Sequence, residues 1–437
     1  MFLPEYVRQC MDALESHGFA CYAVGGCVRD SLLGLTPHDY DLCTDALPAQ
    51  AKEVFADCTL VLAGEKHGTV GVITDGGVVE ITTFRTEGDY TDSRHPGWVE
   101  FVKNIEGDLS RRDFTINAMA WSPTRGLADP FGGQQDLEKG ILRAVGIADE
   151  RFTEDALRIL RGMRFSVRYH LTIEDATLQA MFSHAPLLEN IAKERIFEEL
   201  CKLLPLIDGE YLLRFAPILS QIIPELAPAI GFQQHSHHHV YDVYAHTAYV
   251  TAAAPSNLSL RWAALLHDIG KVSTFTMDGQ GEGHFYGHAE ESARMADEIL
   301  LRLKAPNGLR EEVVFLIAHH MTPLEPERKQ LRRRLSRWGA DRLKKLLALQ
   351  QADFNSKGVV GDPFPFDKIF LLVEELIAEN SCLTLRDLNI NGHDLMAMGF
   401  TGSAIGDCLN HLLSKVVDEE LPNENAALLA AARRIKL

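Results

Sequence analysis

"YAVGGCVRDSLLGLTPHDYDLCT", residues 22–44, gathers a β-rich run, a glycine pair, a helix start and two neighbouring aspartates into one short unit. "CYAV" (21–24) reads as a strand, "GGCVRDSLLG" as a tight turn into a helix, and "HDYDLCT" as a turn and second strand. Asp39 and Asp41 are two residues apart, and on a strand such positions share a face, so both carboxylates reach one site. Paired hard oxygens suit Mg²⁺, which keeps waters and substrate phosphates in its remaining positions. Gly25 and Gly26 let the backbone approach a ligand closely, the helix after them offers free N–H groups to a phosphate, and Arg29 adds a planar donor fork. A phosphate cradle and a metal-binding carboxylate pair are therefore expected within one α/β unit.

The mixed character continues to about residue 125. "GTVGVITDGGVVEITTFR" (68–85) reads as a hairpin turning at Asp75-Gly76-Gly77, and Glu80 on its second strand is a candidate third carboxylate. Residues 86–97, polar and punctuated by Gly and Pro, are expected to form a mobile loop. Beyond residue 126 strand signals fade and helical periodicity takes over. The expected architecture is an α+β multidomain chain: an α/β head (1–125), an all-helical neck and body (126–231), a His-rich helical domain (232–355) interrupted by a loop at 276–287, and a helical tail (356–437).

A chain of 437 residues exceeds what one core usually supports, and 46% hydrophobic with 24% charged residues is ordinary for a globular protein. No apolar stretch reaches the roughly 18 residues a membrane span needs. The eight cysteines contain no CxxC pair, so they read as buried free thiols of a cytoplasmic protein. A net charge of -18 argues against indiscriminate polyanion binding. It leaves room for a local basic surface at residues 328–345, "RKQLRRRLSRWGADRLKK", which is either a solvated helix face or a phosphate-backbone track.

"RFTEDALRILRGMRF" (151–165) has the periodicity of a single amphipathic helix. Phe152, Ala156, Ile159, Leu160 and Met163 gather on one side, with Asp155, Arg158 and Arg161 opposite. By itself this predicts a solvated face with an i,i+3 ion pair.

The histidine-rich block holds "HSHHHVYDVYAHT", "LLHDIGK", "HFYGHAEES", "AHHM" and "LQQADF". His246, His267-Asp268, His288, His319 and Asp353 follow the order H, HD, H, H, D, with His320 the alternative to His319. Imidazole with carboxylate suits a divalent transition metal. The order resembles the HD superfamily of metal-dependent phosphohydrolases, which implies phosphoester hydrolysis, with Lys271 placed to stabilise a phosphate oxygen.

The opening stretch, with "HGTV", "VEITTFRTEGDYTDSRHP", "DLSRRDFTINAMA", "DPFGGQQDLEKGILRAVG", "RFTEDALRILRGMRF" and "ERIFEELCKLL", resembles the tRNA CCA-adding enzyme and poly(A) polymerase family of polymerase-β-like nucleotidyltransferases. The resemblance covers nearly the whole chain. It implies transfer of nucleoside monophosphate from CTP and ATP to the 3′ end of tRNA, with Mg²⁺ held by Asp39 and Asp41. It further implies that Arg112 contacts the nucleotide, and Asp113 is a candidate acceptor for the ribose 2′-hydroxyl. Asp155 and Arg158 become a protein template for the base edge, one offering acceptors and the other donors, while Arg161 and Arg164 reach the triphosphate or brace that pair. Asp92, Arg94, His95 and Pro96 match a loop carried by family members that add the terminal A. The alternatives are a poly(A) polymerase or A-adding enzyme, and an RNA-end phosphohydrolase with a non-catalytic RNA-binding head. No membrane and no protein partner is expected.

Overall fold

The computed structural model describes residues 2–88, 99–236, 240–358, 364–379 and 382–436. The expectation for Asp92, Arg94, His95 and Pro96 falls outside the described residues. The chain divides into two compact units: Met1–Leu206 with Pro217–Pro224, and Ile207–Ala216 with Glu225–Leu437. No helix among the described residues is long and apolar enough to cross a membrane.

The first unit is built on a seven-stranded sheet: β1 (Cys21–Val24), β2 (Asp41–Thr44), β3 (Leu60–Val61), β4 (Thr69–Thr74), β5 (Gly77–Thr83), β6 (Ala120–Ser122) and β7 (Gly126–Ala128), in spatial order β3-β4-β5-β2-β1-β6-β7. Between β1 and β2 runs α1 (Gly26–Leu32). Strand β1 pairs antiparallel with β2, setting Val24 opposite Asp41, and β2 pairs parallel with β5, setting Asp41 opposite Glu80. The expected hairpin forms with Thr74 opposite Gly77, so Asp75 and Gly76 make a two-residue turn. Val24, Cys43, Phe84, Leu109, Ala118, Ala120 and Val145 form a core beneath the sheet. Burial of the larger of these, Val24, Phe84, Leu109 and Val145, stabilises by about 1.5–3 kcal/mol each. Asp39 lies just before β2 rather than on it.

The predicted single helix at 151–165 is two helices, α2 (Ala148–Glu154) and α3 (Leu157–Arg168). Asp155 between them is extended, at φ -144° and ψ 100°. Its Oδ1 accepts the Leu157 N–H at 3.0 Å and its carbonyl accepts the Arg158 N–H. The aspartate thus starts the second helix, a role its short acceptor side chain favours over a mid-helix position. Nor is the polar side of α3 solvated: Arg158 and Arg164 are each only 7% exposed. Helix α4 (Lys193–Leu203) packs against α3.

The second unit is helical. It contains α5 (Val243–Ala253), α6 (Leu258–Leu266), α7 (His288–Arg302), α8 (Asn307–His319), α9 (Arg328–Trp338), α10 (Ala340–Asn355) and, further on, α11 (Ser403–Val417). Helix α5 packs on α6 and α10, and α7 on α8. The expected loop at 276–287 contains a small antiparallel pair, Thr276–Met277 with Gly283–His284. Leu395, Leu412, Leu428 and Ala432 centre a separate tail core. Six of the cysteines are buried; Cys201 is half-buried and Cys58 is exposed, against the uniform burial expected.

The basic run 328–345 is partly solvated, with Arg333 and Arg337 exposed, and many of its cations are engaged within the chain. Arg332 donates to the carbonyls of Val417 at 2.8 Å and Val416 at 3.1 Å, capping the last turn of α11. Arg333 pairs with Asp418, Arg328 with Glu379, Lys329 with Glu420, Arg342 and Lys345 with Glu312, and Lys344 with Glu374. Guanidinium groups at a helix C-terminus also favour the negative end of its dipole.

Candidate active site and metal cluster

A cavity of about 420 Å³ in the first unit is lined by Gly25, Gly26, Arg29, Asp41, Arg111, Arg112, Asp113, Asn117, Asp155, Leu157, Arg158, Arg161, Phe165 and Arg195. Six arginines face three aspartates there, so the pocket is cationic in an acidic chain. At its floor Gly25 adopts φ +76°, and a Cβ there would sit 2.9 Å from Arg112 Nη1. Glycine therefore supplies both the left-handed turn and the room for that guanidinium. Arg112 donates to Asp108 at 3.2 Å, while its buried Nε has no hydrogen-bond partner among the described residues.

Asp41 projects at the pocket edge. Partial burial, then the neighbouring Glu80 carboxylate, raise its pKa above the usual value, with Arg112 opposing and Asp39 adding to the rise. A divalent cation would relieve this crowding, and hard carboxylate oxygens are its natural donors. The three head carboxylates do not, however, converge as tightly as the histidine cluster described below.

Asp113 is saturated. Its Oδ1 accepts the Phe114 N–H at 2.8 Å and Asn117 Nδ2 at 3.0 Å, and its Oδ2 accepts Arg161 Nε at 2.8 Å and Nη2 at 2.6 Å. Burial opposes its charge, but Arg161 and Asn117 hold its pKa down to about 2. With four donors on four lone-pair positions, the carboxylate orients Arg161 and has no acceptor left for a ribose hydroxyl. Arg29 donates to Asp30 at 2.9 Å, to Asn117 and to the Tyr169 hydroxyl at 2.5 Å. It braces α1 against α3.

The ion pairs within residues 151–165 differ from the expected Asp155–Arg158 pair. Arg158 donates to Glu154 at 2.6 Å and to the carbonyls of Arg151 and Arg111. Asp155 is held by Arg195 of α4 at 2.7 Å. Arg164 does not line the pocket; it bonds Glu199 at 2.7 Å and lies over the Phe165 ring. Arg195 and Asn117 are the residues the sequence reading missed. Arg195 belongs to "ERIFEELCKLL", the one signal that could have pointed to it.

In the second unit His246, His267, Asp268, His288 and His320 are buried, and Asp353 joins them from α10. Asp268 belongs to two ligand groups, one with His246 and His267, the other with His288 and His320, each with its ligand atoms within 4.8 Å of one another. His319 is not among them; its ring packs edge-on against Phe315 and tilted against Trp338. Val313, Leu316 and Ile317 form the buried face of α8, and the next position on that face is His320.

Every imidazole is oriented through Nδ1, to the carbonyls of Ala264 for His267, Phe285 for His288, Ile317 for His320 and Ser356 for His246, at 2.7–3.3 Å. This leaves each Nε2 for the centre, the usual arrangement around a metal. His267 Nε2 is buried without a hydrogen bond although 3.2 Å from Asp268 Oδ2. Burial disfavours charge on both aspartates, yet the imidazoles around them, and Lys271 beside Asp268, keep both pKa values depressed. Burial likewise opposes protonation of His267, but Asp268 and Asp353 raise its pKa; for His320 burial and His267 prevail and lower it to about 4. The donor set fits a divalent metal. A cavity of about 270 Å³ opens onto it, lined by Lys271, Lys357, His284, Phe285, Tyr286 and Met321 together with Asp268, His288, His320 and Asp353.

Comparison with known proteins agrees with this geometry. The chain matches the poly A polymerase head domain over residues 21–143, the probable RNA and SrmB-binding site of polymerase A over 170–230, and the HD domain over 237–353. It is similar to the CCA-adding enzyme of Streptococcus thermophilus, with 33% identity over 100% of this chain and 98% of the relative. The Streptococcus mutans enzyme of the same name is 35% identical over 99% and 98% of the two chains. Among solved structures, the Bacillus stearothermophilus CCA-adding enzyme in complex with CTP superposes with a TM-score of 0.74 at 27% identity, covering 100% of this chain and 98% of that one.

Proposed function

The chain belongs to the family of CCA-adding enzymes, and we propose that it builds or repairs the 3′-terminal CCA of tRNA from CTP and ATP in the arginine-lined pocket of its head. The observation that carries this reading is that Asp155 and Arg158 share one cavity with Asp41 and Arg112, so a base edge and a triphosphate fit together.

In this reading Asp39 and Asp41, with Glu80 alongside, would hold two Mg²⁺ ions, one supplying activation of the attacking hydroxyl and the other stabilisation of the leaving pyrophosphate. Arg112 and Arg161 receive the triphosphate, Asp113 fixes the aim of Arg161, and Gly25 and Gly26 leave room for the phosphates. Among the described residues three of the five Arg158 N–H donors are engaged, leaving two for a base edge. Asp155, steadied by Arg195, supplies the acceptors. Donor and acceptor side by side complement the mixed edges of both cytosine and adenine. The head (1–125) then performs transfer, the neck and body (126–231) select the nucleotide, and the tail (356–437) holds the tRNA by shape and backbone contacts. An enzyme acting on tRNA ends is expected in the cytoplasm.

The test offers tRNA transcripts ending before CC, after CC and at CCA, with CTP, ATP or both. Addition that stops at CCA supports the reading, and runaway AMP addition indicates a poly(A) polymerase instead.

A second activity is favoured by Asp268 standing between two histidine pairs beneath a lysine-bearing pocket. We assign residues 232–355 to metal-dependent hydrolysis of phosphate at RNA ends. Asp39→Ala should abolish transfer and spare hydrolysis, whereas His267→Ala with Asp268→Ala should do the reverse.

A further inference from the structure

The pocket over the histidine cluster carries a hairpin edge that phosphate chemistry alone does not require. Tyr286 is 77% exposed, although tyrosine rings usually find cover. Its ring stacks on His284, with centroids 5.4 Å apart and planes 15° from parallel. His284 Nε2 lies 3.1 Å from Asp278 Oδ2, and Asp278 Oδ1 accepts the backbone N–H groups of Gln280 and Glu282. The hairpin tip therefore fixes one ring, and that ring supports a second whose surface is open to solvent.

Both rings line the same cavity as Asp268, His288, His320 and Asp353. Tyr286 is two residues before His288, so their Cα atoms can be no more than about 7.6 Å apart. A ribose joins a base to a phosphate over a span of this kind. On the phosphate side, Lys271 Nζ is held 2.7 Å from Asp268 and 2.9 Å from Gln234, and Lys357 also lines the cavity.

The geometry points to Tyr286, backed by His284, as a nucleobase platform that makes the histidine site selective for nucleoside 2′- or 3′-phosphates, as at an RNA 3′ end, over phosphate esters without a base. The inference rests on the hydrolytic reading above. In the reaction the water oxygen bonds to phosphorus, the bond from phosphorus to the ribose oxygen breaks, and a water proton passes to that oxygen, giving a nucleoside hydroxyl and inorganic phosphate. Aromatic stacking accepts any base because every base has a π-face.

The test uses the full chain loaded with Mn²⁺, Co²⁺ or Ni²⁺, with CTP filling the head pocket. Hydrolysis of adenosine 3′-phosphate is compared with that of glycerol 2-phosphate, and stacking is read separately from the fluorescence quenching of 2-aminopurine riboside 3′-phosphate. Tyr286→Ala should raise KM for the nucleotide about tenfold more than KM for glycerol 2-phosphate and should abolish quenching; Tyr286→Trp should restore both. Quenching that survives Tyr286→Ala, or an equal KM change for the two substrates, overturns the platform. Quenching by a wild-type chain that hydrolyses neither substrate upholds the platform and overturns the hydrolytic reading.

Discussion

Asp155 is tied to Arg195, forty positions further along the chain, at 2.7 Å, and not to Arg158 three positions away. Asp155 and Arg158 therefore have separate supports: Arg195 for the aspartate, and Glu154 with two backbone carbonyls for the arginine.

Separate supports predict separable defects. Asp155→Asn keeps an oxygen for the Leu157 N–H, so thermal stability should change by less than about 1 kcal/mol. The discrimination of CTP and ATP from UTP and GTP should fall at least about tenfold, because one acceptor oxygen becomes a donor. Steady-state incorporation of all four nucleotides measures this, and unchanged selectivity would remove Asp155 from the template.

Arg158→Ala should be harsher. Glu154 and two carbonyls lose a largely buried donor, which costs about 1–3 kcal/mol of stability as well as selectivity. Chemical denaturation beside the same incorporation assay separates the two losses. A variant as stable as wild type would show that the donor's partners are readily rehydrated.

Asp113 predicts an acid-side dependence. Its folded pKa of about 2 lies below the ordinary 3.8, so its ionisation stabilises the fold above about pH 4 and that contribution is lost as pH falls towards 2. Asp113→Asn should cost about 2 kcal/mol at neutral pH, and the gap from wild type should narrow through that acid window. A gap independent of pH would mean that hydrogen bonding, not charge, carries the effect.

At the histidine cluster the last residue of α8 and the one after it should behave differently. His320→Ala should lower bound divalent metal, measured by mass spectrometry after dialysis, while His319→Ala should retain the wild-type stoichiometry. Equal loss in both would contradict the assignment of His320.

The basic run makes a mechanical prediction. Arg332→Ala leaves the carbonyls of Val416 and Val417 without their charged donor, so hydrogen exchange near the end of α11 should accelerate by about tenfold or more, as expected for about 1.5–3 kcal/mol. Arg333→Ala, which removes an exposed pair, should change exchange far less.

Features set by local chemistry were legible in the sequence. Asp75 and Gly76 form the hairpin turn that their residue types demand, and β1, α1 and β2 fall where glycines and β-branched runs place them. The break at Asp155 was hidden because the apolar period of Phe152, Ala156, Ile159, Leu160 and Met163 runs unbroken across it. Arg195 was hidden because its partner is remote in sequence. The exhaustion of Asp113 could not be read at all, since it depends on donors from three separate positions meeting in space. His320 could have been chosen over His319 by extending the buried face of Val313, Leu316 and Ile317 by one turn.

For three of the four imidazoles the carbonyl that orients Nδ1 belongs to the residue three positions before it, so the aim of those rings is written into main-chain geometry. Such a site is tolerant of drift: side chains beside His267, His288 and His320 can change identity without turning an imidazole away, provided the helix ends keep their shape. The exposed points of this inheritance are His246, whose carbonyl comes from Ser356, and the two aspartates. Sequence change that disables the cluster should therefore act first through the segment around residues 353–356, at a distance along the chain from most of the imidazoles it disturbs.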